Sequence, residues 1–264
     1  MPIKRKRAAA RVRFVSPSIA PDGVRNAVPG AVPNKVAIVA MGASSAFYNS
    51  LVAQLGHRKA LADETWVINS MASVLQHDRA FVMQDVATNI MEEAKERKVA
   101  QGILRWLPDH PGPVYTTTAY EQWPALVEYP TQDVLRYLGG PPYLNNSVAY
   151  ALAYAMYIGV KEVLLFGADF TYPDAHVSES GRGCCEFVMG IGVARGFKYA
   201  IPEGSTMLDA NKPMDKKLYG YAMPMQIDIT AQGVISVSRK PLCTSTDTLS
   251  PSPPAPPPVL RLEA

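Results

Sequence analysis

The sequence predicts an α/β protein with a Rossmann-like, mostly parallel sheet and helices on both faces. Three observations carry that reading. Short apolar runs rich in β-branched residues recur along the chain, and helical segments separate them. Small or polar residues stand where the apolar runs end: Gly42-Ala43-Ser44-Ser45, Asn69, Asp85 and Gly167-Ala168-Asp169. Continuously apolar strands alternating with helices are what a sheet covered on both faces requires.

Val36–Ala40 is the first buried strand, and the small-residue turn after it leads into a helix over Ala46–Leu55. Thr65–Asn69 and Arg79–Asp85 read as the second and third strands, followed by a charged amphipathic helix over Ile90–Ala100. Val114–Thr117 is a fourth strand by its β-branched and aromatic content. Ser147–Ile158 is an Ala/Tyr-rich helix, stopped by Gly159 at the position where a positive φ is needed. Glu162–Phe166 is the most apolar strand of the chain. A polar loop over Thr171–Gly183, a helix over Glu186–Arg195 and a last strand over Phe197–Ile201 complete the pattern.

The organisation is an extended basic arm over 1–33, a catalytic, nucleotide-binding domain over 34–210, an extension over 211–243 and a Pro-rich, disordered tail over 244–264. With 264 residues, the chain is long enough to bury a substantial core. The net charge of +3 sits largely in Lys4-Arg5-Lys6-Arg7, Arg11 and Arg13, so the body is near neutral and a folded nucleic-acid surface is not indicated. The arm keeps DNA open as a partner through long-range attraction to phosphate. No apolar run is long enough to span a membrane, and the basic start lacks a following apolar segment, so a cytoplasmic location is expected. Cys184, Cys185 and Cys243 have no metal-ligand spacing and read as reduced packing residues.

In sheets of this kind ligands sit outside the carboxyl ends of the strands, near a topological switch point. The turn Gly42–Ser45 opens a helix, where backbone N–H groups and the hydroxyls of Ser44 and Ser45 can hold a phosphate; a serine cap without ligand explains it nearly as well. Asn69 suits a base, ribose or phosphate, and Asp85 a ribose hydroxyl or a metal, with ordinary turn chemistry as the alternative for both. Gly167-Ala168-Asp169-Phe170 leads into a run holding Tyr172, Asp174, His176, Ser178, Glu179 and Arg182. Within it His176 is the natural general base for an acceptor hydroxyl. His57, His77 and His110 lie in less telling contexts.

The run from Asn146-Ser147 through Ile158-Gly159-Val160-Lys161-Glu162-Val163-Leu164-Leu165-Phe166-Gly167-Ala168-Asp169-Phe170 resembles the second half of bacterial sialyltransferases of glycosyltransferase family 42. It is also similar to the domain shared by motility accessory factor glycosyltransferases and archaeal-type 6-hydroxymethylpterin pyrophosphokinases. Gly42 and Ser44 match the family's opening turn, whereas Met41 replaces an Asn and Ala43 a Pro; Asn69 matches the Asn that ends the second strand. The resemblance implies a sialyltransferase-like variant of the nucleotide-sugar fold. Gly42, Ser44, Asn69, Ser147, Gly167 and Asp169 would line its nucleotide site. Tyr172 would steady the departing phosphate and His176 would serve as base, with Asp169 counted among the catalytic residues.

The expected activity is therefore nucleotide-dependent transfer, first a sugar from a nucleotide-activated donor to a hydroxyl, with no resident cofactor or metal. Relatives of this kind occur in phages, which makes a modified DNA base one candidate acceptor and the host cytoplasm the corresponding location. One alternative is ATP-dependent pyrophosphoryl or phosphoryl transfer with Mg²⁺ held by Asp85, Asp169 or Asp174. Another is a non-catalytic nucleotide or nucleic-acid binding module tethered by the basic arm.

Overall fold

The computed structural model describes residues 32–213, Lys217 and two further strands, 225–229 and 235–239. Most of the expected basic arm, Cys243 and the Pro-rich tail lie outside the described residues. The chain divides into two compact units, Met1–Lys212 and Pro213–Ala264.

In the first unit, seven strands form one parallel sheet: β1 Lys35–Val39, β2 Glu64–Ile68, β3 Arg79–Phe81, β4 Val114–Thr116, β5 Leu126–Glu128, β6 Glu162–Phe166 and β7 Lys198–Ala200. Their order is β5-β4-β3-β2-β1-β6-β7. The chain thus builds outward from β1 in one direction through β5 and then returns to the other side of β1 with β6. The register pairs Val36 with Val163 and Ile38 with Leu165 across that junction. The α/β Rossmann-like architecture follows from this order.

Helices cover both faces. The side chains of β1 alternate, so Val36 and Ile38 join the cluster built around helix α4 (Ser147–Ile158), while Ala37 and Val39 pack with Tyr48 of helix α1 (Ser45–Leu55). Helix α2 (Lys98–Trp106) buries Ala100 and Ile103 against the β3 and β4 part of the sheet. Helix α3 (Thr131–Leu138) and helix α5 (Ala175–Ala194) pack against α4. Trapped between sheet and helices, α4 is buried nearly all round, which is why it is apolar rather than amphipathic. Small residues at Ala149, Ala151, Ala153 and Ala155 let its neighbours approach, and Trp66, Phe81, Leu152 and Met156 fill the layer. Each such large side chain contributes about 2 to 3 kcal/mol by leaving water.

Three expectations are corrected. The helix expected over Ile90–Ala100 is broken: helical turns over Val86–Glu93 give way at Arg97, whose φ/ψ of −107°/119° is extended, and α2 starts at Lys98. The polar loop expected over Thr171–Gly183 is mostly helix, because the Asp174 carboxylate caps the N–H groups of His176 and Val177 and starts α5 at Ala175. Strand β5 and helix α3 are additional to the elements read from the sequence. In the second unit, β8 (Met225–Ile229) and β9 (Ile235–Arg239) pair antiparallel, with Ile229 opposite Ile235.

Candidate functional site

Strands β1 and β6 lie side by side but continue in opposite directions of strand order, so their carboxyl ends form the switch point where α/β sheets open a crevice. The two turns there are locked together. The Ser44 N–H donates to Asp169 Oδ2 at 2.7 Å, and the Ser44 hydroxyl donates to Asp169 Oδ1 at 2.5 Å. That hydroxyl in turn accepts from the Gly167 N–H at 2.8 Å, and the Gly42 N–H donates to the Gly167 carbonyl at 2.8 Å. Both Ser44 and Asp169 are buried.

Glycine is required at both approaches. A Cβ on Gly167 would stand 2.1 Å from the Ala40 carbonyl oxygen, and its φ of +69° disfavours any other residue. A Cβ on Gly42 would stand 2.6 Å from Asp169 Oδ2. From behind, the Thr206 hydroxyl donates to the Asp169 carbonyl. The sequence therefore spends its small residues here on bringing two loops into contact.

Outside this lock opens a cleft of about 510 Å³ lined by the β1 turn, Ile68 and Asn69, Arg97 and Val99, the start of α4, and the stretch from Gly167 to Tyr172. Asn69 holds a left-handed φ of +51°, a conformation that Asn tolerates better than most residues. Its carboxamide oxygen lies 3.5 Å from the Ser147 hydroxyl. The Asn146 side chain caps α4 by accepting from the Ala149 N–H at 3.0 Å. The N–H groups of Ser147 and Val148, at the open end of the helix, have no carbonyl in the preceding turn to meet, and both residues line the cleft.

Of the expected site residues, Gly42, Asn69, Ser147, Gly167, Asp169 and Tyr172 come together at the cleft. Ser44 sits behind it, and Ser45 opens α1 with its N–H given to the Gly42 carbonyl at 3.0 Å. The N–H groups of Gly42, Ser44 and Ser45 are thus committed within the protein, and the start of α4 adds backbone donors at the cleft. Asp85 lies outside the cleft wall. Its carboxylate accepts from the N–H groups of Ala87 and Thr88 and from the Tyr120 hydroxyl. Burial raises its pKa, but these hydrogen bonds outweigh that and hold it below the usual carboxylate range. His176 is exposed on the first turn of α5 and is not part of the cleft wall. Tyr172 stands 56% exposed at the edge of the cleft.

Asp85, Asp169 and Asp174 are each engaged locally, and among the described residues no group of three His, Cys, Asp or Glu side chains is placed to hold a metal ion. Cys184 and Cys185 are buried, and burial pushes both thiols up, away from nucleophilic use.

Two features escaped the sequence reading. Arg97 lines the cleft, although the run around it reads as a solvated charged helix; the backbone break that brings it there has no local signature. His77 and His110, which precede β3 and β4 at the amino ends of the strands, opposite the cleft, face each other with Nε2 atoms 2.7 Å apart. Comparison of the chain with family models, curated proteins and solved structures finds no match. Among the described residues no helix is long and apolar enough to cross a membrane.

Proposed function

We propose that the cleft binds a nucleotide or nucleotide-activated sugar and that the protein is a nucleotide-dependent transferase, with glycosyl transfer to a hydroxyl as the leading reaction. The observation that carries this reading is the cleft's composition at the switch point. Apolar walls from Met41, Ile68, Val148 and Phe170 suit a base, and polar groups from Asn69, Ser147, Arg97 and the open end of α4 suit phosphate.

In the reaction an acceptor oxygen attacks the anomeric carbon of the donor. The bond from that carbon to the phosphate oxygen breaks, the electron pair leaves with the nucleotide, and the acceptor proton passes to a base. The donors at the start of α4, with the Tyr172 hydroxyl, would stabilise the charge growing on the departing phosphate. His176 is the candidate base, which puts the acceptor at the Tyr172 and α5 end of the cleft. The ATP-dependent alternative has less support, because the three carboxylates named for Mg²⁺ are each tied into local hydrogen bonds.

The test is to incubate the full chain with CMP-, UDP- and GDP-sugars, and separately with ATP and Mg²⁺, and to measure released nucleotide. Release from one sugar-donor class, lost in His176→Ala with nucleotide binding retained, is the expected result. Turnover of ATP alone would move the assignment to pyrophosphoryl transfer. Binding without any turnover would leave a binding module.

A further inference from the structure

We infer that Arg97 is the contact for an anionic group of the ligand and that Glu93 is the partner it leaves when the ligand arrives. In one respect this rests on the nucleotide reading, which supplies phosphate as the anion. Among the described residues lining the cleft, Arg97 and Asp169 are the two charged side chains. They are not equivalent. Asp169 is buried, and both of its carboxylate oxygens accept hydrogen bonds from Ser44. Arg97 projects from the break between two helical segments, with a side chain 64% exposed and, among the described residues, one charged partner, Glu93, whose Oε2 lies 2.7 Å from Nη1. The cleft therefore presents one exposed cation, paired only through Glu93 among the described residues, while its carboxylate is turned toward Ser44.

Glu93 is held in turn. Its Oε1 accepts from Gln84 Nε2 at 2.8 Å, and the Gln84 carbonyl accepts from the Thr116 hydroxyl at 2.6 Å. That chain runs back to β4, so the resting position of Arg97 is set from the sheet. An ion pair of this kind, with its arginine side chain 64% exposed, is weak. Glu93 meets Arg97 through a single hydrogen bond, whereas a phosphate offers a guanidinium a two-pronged geometry with more charge. Exchanging Glu93 for phosphate is therefore favourable, and Glu93 acts as a competitor that sets the affinity.

The experiment is titration calorimetry of the full chain with inorganic pyrophosphate, followed by AMP, CMP, GMP and UMP and their nucleosides. It is run on the wild type, Arg97→Met, Arg97→Lys and Glu93→Gln. Pyrophosphate affinity is expected to fall about tenfold in Arg97→Met, the scale of one charge-assisted hydrogen bond. It should recover in part in Arg97→Lys and rise in Glu93→Gln. Nucleoside affinity should not change in any variant. Equal pyrophosphate affinity in Arg97→Met and wild type, or no pyrophosphate binding by the wild type, would overturn the inference. Nucleotides that bind without needing Arg97 would overturn it while leaving the nucleotide reading intact. Pyrophosphate that needs Arg97 but is displaced by no nucleotide would remove the nucleotide reading and keep the anion site.

Discussion

Asp169 accepts both the backbone N–H and the hydroxyl of Ser44, and each residue is buried when it does so. A carboxylate is the one side chain of that size that can accept at both oxygens. In Asp169→Asn one of these positions becomes an N–H₂ group facing a donor, so a buried hydrogen bond is replaced by a repulsion. We predict a loss of about 2 kcal/mol of stability, read from urea unfolding, together with loss of ligand binding because the turn that frames the cleft loosens. Gly167→Ala should be worse, roughly 3 kcal/mol or more, since the new Cβ meets a backbone carbonyl and the positive φ disfavours it as well. The histidine pair gives a pH prediction at the same scale. His77 Nδ1 faces the Leu75 carbonyl and so carries a proton, while His110 Nδ1 accepts from the Gly112 N–H, which leaves the His110 proton on Nε2 to donate to His77 Nε2. Both rings must be neutral for all of these bonds to form. Burial lowers the pKa of each; that of His110, which the His77 charge lowers further, falls to about 4. For His77, Asp78 opposes the shift and Arg58 adds to it. Because the folded pKa values lie below the unfolded value near 6.5, the unfolded chain binds more protons in between. Stability is then complete above that value and is lost as the pH falls from it toward 4. Urea midpoints at pH 7 and pH 5 check this: the drop should be clear in the wild type and smaller in His110→Gln, and equal drops would refute the pairing.

Helix α5 shows why an element can be illegible in sequence. Gly181, Gly183, Gly190 and Gly192 give it poor intrinsic propensity, and its first half is polar, so the run through Gly183 reads as a loop. Tertiary contacts override that preference. A Cβ on Gly181 would stand 2.5 Å from the Phe170 ring, and one on Gly192 would stand 2.1 Å from the Tyr199 hydroxyl, so glycine there permits close packing. Gly181→Ala should therefore lower stability by roughly 1 to 3 kcal/mol although alanine is the better helix former; a stabilised variant in thermal unfolding would contradict this. By contrast, α4 and the strand β6 after it were legible, because the Ala-rich run, Gly159 and the apolar strand all agree with one local outcome. The small and polar residues at the ends of β1, β2 and β6 were legible for the same reason, and they do meet at the cleft. What each does there was not, since the commitment of Ser44 to Asp169 joins positions far apart in the chain. Arg97 and the histidine pair were invisible for the same cause: they exist only once separate elements are assembled.

At the scale of the whole molecule, the strand order β5-β4-β3-β2-β1-β6-β7 is completed within the first unit, and one switch point results. That topology, more than any single motif, puts a cleft where an open α/β sheet binds ligands. The account stands or falls on what enters it. The most direct measurement is backbone amide shift mapping of the full chain on titration with AMP, CMP, GMP and UMP. The account predicts that at least one of them moves the amides of Asn69, Ser147, Val148 and Gly167, with little change around His77 and His110 at the amino ends of the strands. Shifts confined to other surfaces, or none with any nucleotide, would contradict it.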